Sequence, residues 1–193
     1  MIREISRRGW KIGLHASWGA SRDIEEMKRQ KESLEKVVGK EIVSVRQHFL
    51  AYDPDRTPGI QAEAGFNYDS TMGFNDNVGF RYGTCYPWEM KEDLLEIPLL
   101  VQDGALFRSK GLGLDKKGSV KKVMSIADKV ENVGGVLTLL WHPSHIVDKD
   151  WKESYIEVLS RLKERDVWFA TVRDIGDHWR SLEDIRSGPK EGS

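Results

Sequence analysis

Two short apolar runs, each ending on a histidine, constrain the fold more than any other feature of this chain. They are Lys11-Ile12-Gly13-Leu14-His15 near the start and Leu137-Thr138-Leu139-Leu140-Trp141-His142 near the end. A parallel sheet is covered on both faces, so its strands read as unbroken apolar stretches rather than as alternating ones. In such folds the chemistry gathers where the strands deliver their carboxyl ends to loops. Ile42-Val43-Ser44-Val45-Arg46-Gln47-His48-Phe49-Leu50 reads as a third strand and Leu95 to Asp103 as a fourth. Four strand ends thus carry His, Arg/His, Asp and His.

Helices alternate with these runs. Met1 to Arg8 reads as a helix end closed by Gly9. The next helix is expected to be capped by Ser21, with Asp23, Glu25 and Glu26 in its first turn and Ile24, Met27, Leu34 and Val38 as its buried stripe. A short helix is expected near 57–64, stopped at Gly65, followed by an irregular, Gly- and aromatic-rich loop over 66–93. Val120, Val123, Met124, Ala127 and Val130 recur at helical spacing before Gly134-Gly135. Trp151, Tyr155, Val158, Leu159 and Leu162 mark another helix. A strand over 167–171 and a helix built on Val172, Ile175, Trp179 and Leu182 close the pattern. Helices alternating with buried strands predict a parallel α/β sheet or barrel, one domain over 1–186 with a flexible tail over 187–193.

Acidic and basic residues are nearly balanced, 31 against 30, and are mixed along the helices. That pattern lacks the basic footprint of a nucleic-acid binder. One cysteine, Cys85, precludes an intramolecular disulfide. No apolar stretch approaches the roughly 20 residues of a membrane span, and the amphipathic start lacks the apolar centre of a signal peptide. The expectation is a soluble, cytoplasmic protein. Gly111-Leu112-Gly113 lacks the strand–turn–helix setting of a phosphate loop.

The order of the strand ends resembles the polysaccharide deacetylase (NodB-homology) family of carbohydrate esterases. Arg8-Gly9-Trp10-Lys11-Ile12-Gly13-Leu14-His15 is similar to the helix–Gly–strand delivering that family's first metal histidine. Arg46 matches its arginine strand, Asp103 its later aspartate, and Leu140-Trp141-His142 its final histidine. Tyr68-Asp69-Ser70-Thr71, Gly79-Phe80-Arg81-Tyr82-Gly83-Thr84, Ala170-Thr171-Val172 and Trp179-Arg180 also resemble a subgroup of it.

The resemblance implies a distorted (β/α) barrel and a hydrolase that removes N-acetyl groups from a polysaccharide or glycan with a divalent metal, zinc above all. It implies His15 as a metal ligand. The family's second metal histidine would fall at Gly19, and His48 stands in as its replacement. His142 would be the general acid, with Asp103 holding its tautomer and Arg46 orienting a catalytic aspartate. Asp69, Arg81 and Trp141 would line the sugar site. Trp18, Tyr82, Tyr86 and Trp88 would lie near its mouth. His145, with Pro143 disfavouring a helix between it and His142, is expected at the rim. The family's acidic first strand is not found ahead of the strand to His15, so the barrel is expected to be N-terminally incomplete as written. The rival reading is a non-catalytic carbohydrate-binding or interaction module that has lost that strand.

Overall fold

A computed structural model describes residues 1–91 and 93–187. The flexible tail expected over 187–193 lies, beyond Ser187, outside these residues. The chain divides into two compact units: Met1–Ser70 with Pro87–Ile97 and the segment from Ala170, and Thr71–Tyr86 with Pro98–Phe169. Among the described residues no helix is long and apolar enough to cross a membrane.

The first unit is built on five strands: β1 (Leu14–Ala16), β2 (Ser44–Gln47), β3 (Tyr68–Asp69), β4 (Trp88–Lys91) and β5 (Leu94–Glu96). Their order is β1-β2-β3-β5-β4. The first three pairings are parallel and β4 joins β5 as an antiparallel edge. Register sets His15 beside Arg46, Val45 beside Asp69, and Asp69 beside Glu96. Helix α1 (Ile2–Arg7) ends before Gly9, whose φ of 89° no β-carbon-bearing residue adopts cheaply. Helix α2 (Ile24–Val38) is capped by Asp23, not Ser21. The Asp23 carboxylate accepts the Glu26 amide, while Ser21 lies inside a preceding 3-10 turn. Met27 from α2 is buried with Leu14, Ala16, Val45, Phe66 and Leu94, each large side chain contributing roughly 1.5–3 kcal/mol.

Lys31 is the polar exception on that helix face. Its ammonium donates to the carbonyls of Ala64 (3.0 Å) and Gly65 (2.7 Å), just past α3 (Thr57–Glu63), and lies 5.0 Å above the Phe66 ring. A cation on otherwise unpaired helix-end carbonyls is favourable on both hydrogen-bond and dipole grounds. The sequence stripe of α2 therefore contains a lysine because α3 ends there.

The second unit pairs β6 (Val101–Gln102) in parallel with β7 (Leu139–Leu140). Around them lie α4 (Asp103–Phe107), α5 (Lys116–Val133) and α6 (Lys149–Lys163). Val120, Val123, Ile126, Ala127 and Val130 of α5 share a core with Val158 and Leu162 of α6 and with Leu100, Val101 and Leu106. Gly134, at φ 66°, ends α5 in the left-handed region. Gly135 passes so close to Cys85 that a β-carbon there would meet the thiol at 2.2 Å.

Four further expectations are corrected. The parallel pairings are present, but the described strands form two separate hydrogen-bonded sheets and no closed barrel. The run from Leu95 to Asp103 is divided, because Pro98 has no N–H to give a ladder; β5 stops at Glu96 and β6 starts at Val101. The region 66–93 is not wholly irregular, since it supplies β3 and β4. No strand forms over 167–171: Val167, Trp168 and Phe169 are exposed, so the two-sided burial that an apolar run implies is lacking. Helix α7 (Val172–Ser187) follows instead.

Candidate active site

In the first unit, β1 carries His15 and the chain leaving β2 carries His48. Parallel register puts the two side chains within reach. The Nε2 of His15 lies 3.0 Å from Nδ1 of His48, with the rings nearly perpendicular at 86°. The Nδ1 of His15 lies 3.1 Å from the Arg46 carbonyl. A carbonyl only accepts, so that nitrogen carries the proton, and in the neutral ring Nε2 keeps its lone pair. Metal-ligating histidines are held in just this way, through the ring N–H on a backbone carbonyl. Two nitrogens bound to one tetrahedral zinc at about 2.0–2.1 Å lie roughly 3.3 Å apart, close to the separation found here. With Nε2 of His15 accepting, Nδ1 of His48 is the donor across this separation, so an ion held by the pair would replace that hydrogen bond and move the His48 proton to its Nε2; two imidazoles so placed suit a divalent ion such as zinc.

The chain past His48 is strained. Phe49 (φ 55°) and Leu50 (φ 51°) both adopt the left-handed region, at roughly 1–2 kcal/mol each for such side chains. Leu50 is buried and anchors the turn, while Phe49 is exposed with its ring 4.1 Å from that of His48.

Arg46 turns from the histidines to its own support. It donates from Nε to the Ser70 carbonyl (2.6 Å) and from Nη2 to Ser70 Oγ (2.7 Å). Burial pulls its guanidinium below the ordinary arginine value, and the neighbouring charges of Asp69 and Glu96 oppose that pull. Asp69 is one of the residues expected to line a sugar site. It stands fully buried at the end of β3, where Oδ1 accepts the Ser70 amide (2.8 Å). Its charge is near enough to Arg46 to oppose the effect of burial on the guanidinium.

In the second unit, Asp103 begins α4 directly after β6, and His142 follows β7 by two residues. Both leave the carboxyl ends of paired parallel strands. The Asp103 carboxylate is wholly buried. Oδ1 accepts from the Gly104 amide (2.6 Å) and from Nδ1 of His142 (2.7 Å). Oδ2 accepts from the His142 amide (2.8 Å) and from Nδ1 of His145 (2.8 Å). Donation from Nδ1 leaves Nε2 of His142 turned away from the carboxylate on a side chain 37% exposed.

His145 is not a rim residue. Pro143 opens a 3-10 turn over Pro143–His145, a position where its missing N–H costs nothing, and the turn swings His145 back to Asp103. Asp103, His142 and His145 offer ligating atoms all within 4.8 Å of one another, a grouping able to hold a metal ion.

The remaining expected residues are committed locally. Arg81 donates to the Gly73 carbonyl (2.6 Å) and lies 5.9 and 5.5 Å from the Phe74 and Tyr82 rings, a staple across its own loop. Trp141 packs against Tyr155 at 5.3 Å and Phe107 at 6.1 Å. Sequence reasoning assigned no role to Phe49 or to Arg108, which faces His145, and put His145 itself at the rim. The signal for His145 was present in Trp-His-Pro-Ser-His, where a proline after a strand end favours a tight turn over a departure.

No protein-family model matches the sequence, and no curated protein matches it at a significant level. Solved structures do. A protein of Mycobacterium smegmatis described as a polysaccharide deacetylase is 25% identical, with a TM-score of 0.73, over 94% of this chain and 67% of its own. The allantoinase Puue is 19% identical, TM-score 0.73, over 93% of this chain and 62% of its own. A protein of Pseudomonas aeruginosa PAO1 described as a polysaccharide deacetylase is 20% identical, TM-score 0.72, over 93% and 62%. The chain thus spans about two thirds of the length of the proteins it matches. The likeness to the polysaccharide deacetylase family, carried in the sequence by the order of its strand ends, is supported over nearly the whole chain by the Mycobacterium smegmatis structure, and the other two share the fold.

Proposed function

We propose that this chain is a metal-dependent carbohydrate deacetylase, a hydrolase of non-peptide amide bonds that removes N-acetyl groups from a polysaccharide or glycan. The observation that carries the reading is the buried Asp103 carboxylate gripping His142 through Nδ1, in a fold shared with proteins described as deacetylases. Amide hydrolysis needs a proton for the departing amine. Nε2 of His142, a bare acceptor in the neutral Nδ1–H ring, takes a proton from the attacking water; Asp103 stabilises the imidazolium so formed, and Nε2 then passes that proton to the departing amine. His15 and His48 would hold the ion, zinc by their nitrogen donors. When bound, such an ion supplies Lewis acidity toward the acyl oxygen and lowers the pKa of water. Arg46, held by Ser70 and flanked by the charges of Asp69 and Glu96, would orient a catalytic aspartate. Arg81 and Trp141 would act on the sugar through the loop and wall they stabilise.

Acetate release from N-acetylated oligosaccharides by the zinc-loaded chain tests this. His142→Ala should lower turnover about 10²–10⁴-fold and leave zinc content intact. His15→Ala should lose zinc and activity together. Zinc-free sugar binding without acetate release would instead support a carbohydrate-binding module. Hydrolysis of a small cyclic amide in place of the sugar would favour the chemistry named for the allantoinase neighbour.

A further inference from the structure

One carboxylate in this molecule serves two imidazoles, and only one of them has a part in the chemistry above. An ionised carboxylate offers about four lone-pair sites. Those of Asp103 are taken by the Gly104 amide, the His142 amide, His142 Nδ1 and His145 Nδ1. Three of the four donors come from the short segment His142–His145 and its backbone. His145 supplies the second donor on Oδ2, so both oxygens are pinned and the carboxylate plane cannot turn. Oδ1 is thereby kept facing the His142 ring.

The proton on His145 is itself directed. Nη2 of Arg108 lies 2.8 Å from His145 Nε2. A guanidinium only donates, so Nε2 accepts and the ring proton sits on Nδ1, aimed at Asp103. The edge of Trp151, 4.4 Å from the His145 ring, backs this orientation. The bonds run from Arg108 to His145 to Asp103, and Asp103 also accepts from His142.

We propose that His145 is a positioning residue, oriented by Arg108, that holds the Asp103 carboxylate in the one plane that keeps His142 in its Nδ1–H tautomer. The role in turnover rests on the reading of His142 as proton donor; the tautomer does not. The hydrogen-bonded cluster is the alternative to the metal grouping that the same three residues could form. An ion among the three residues would have to displace both Nδ1 protons from a carboxylate already saturated, with the Arg108 charge one side chain away.

The test is the ring tautomer of His142, read from long-range 1H–15N spectra of the labelled chain, with kcat and KM for acetate release alongside. In the wild type His142 is expected as a single Nδ1–H tautomer. His145→Leu should give a mixture of tautomers and lower kcat about 10–100-fold, the effect of deleting comparable orienting partners, with KM and zinc content unchanged. His145→Asn places an amide N–H where Nδ1 stood and should restore both readouts. Arg108→Met should fall between the two. Retention of one tautomer and full kcat in His145→Leu would overturn the proposal. So would His145→Asn as impaired as His145→Leu while still folded by circular dichroism. Loss of zinc in step with activity in His145→Leu would overturn it too and make His145 a ligand. A wild-type chain that released no acetate would sink the deacetylase reading alone, since the spectrum needs no substrate.

Discussion

Tyr68 shows how a single side chain is tuned by its surroundings. Its ring is buried, its hydroxyl donates to the Asp177 carboxylate, and Arg180 lies 5.1 Å above the ring. Burial first, and the Asp177 acceptor second, push its pKa up to about 12. An unfolded tyrosine titrates near 10. The folded state therefore holds this proton longer than the unfolded state does. The contribution to stability is complete below about pH 10 and is lost as pH rises from there through about 12. Tyr68→Phe should cost about 1 kcal/mol at neutral pH, the net worth of an ordinary hydrogen bond. In urea denaturation the gap between wild type and variant should then close between those two pH values. A gap that stayed constant to pH 12 would contradict the coupling. Lys31 belongs to the same scale: its burial is explained by two carbonyls and an aromatic face from outside its helix, together with Glu35 of the same helix at 3.8 Å.

Among elements, the docking of α7 on β3 is set by a glycine. Gly176 faces the Tyr68 ring so closely that a β-carbon would meet Cε1 at 2.2 Å. In an exposed helix interior Gly→Ala stabilises by about 1 kcal/mol. Here an overlap of that depth forces helix and strand apart, and overpacking of this kind costs typically 1–3 kcal/mol or more. The clash outweighs the propensity. Gly176→Ala should therefore lower the urea midpoint, against the helix-propensity expectation, and should shift the Tyr68 absorbance titration toward its unfolded value. An increase in stability would show that α7 is not held against β3. The division of the 95–103 run belongs here as well: one proline decided that two short strands join two different sheets.

At the scale of the molecule, each unit has its own core, and Cys85 reports on the second. Its thiol is buried with Val123, Val130 and Leu106, and burial pushes its pKa upward. A thiol that is both enclosed and protonated is a poor nucleophile. A thiol reagent at neutral pH should label the native protein far more slowly than the urea-unfolded chain. Gly135→Ala, driven against the Cys85 sulfur, should raise the native labelling rate. Rapid labelling of the wild type would mean that this core is open.

The sequence by itself determined the features that depend on neighbours a few residues away. The helix ends at Gly65 and Gly134, the buried stripe of α5 and the apolar strands leading to His15 and His142 were all legible, because capping and periodicity act within a turn or two. The family likeness added the link between Asp103 and His142. The tertiary structure alone decided what lies far apart along the chain: which strands pair, that Asp69 is buried beside Glu96, that Lys31 closes α3, and that His145 shares Asp103 with His142. Those facts depend on where the chain returns, and a hydrogen bond across such a separation leaves no local pattern to read.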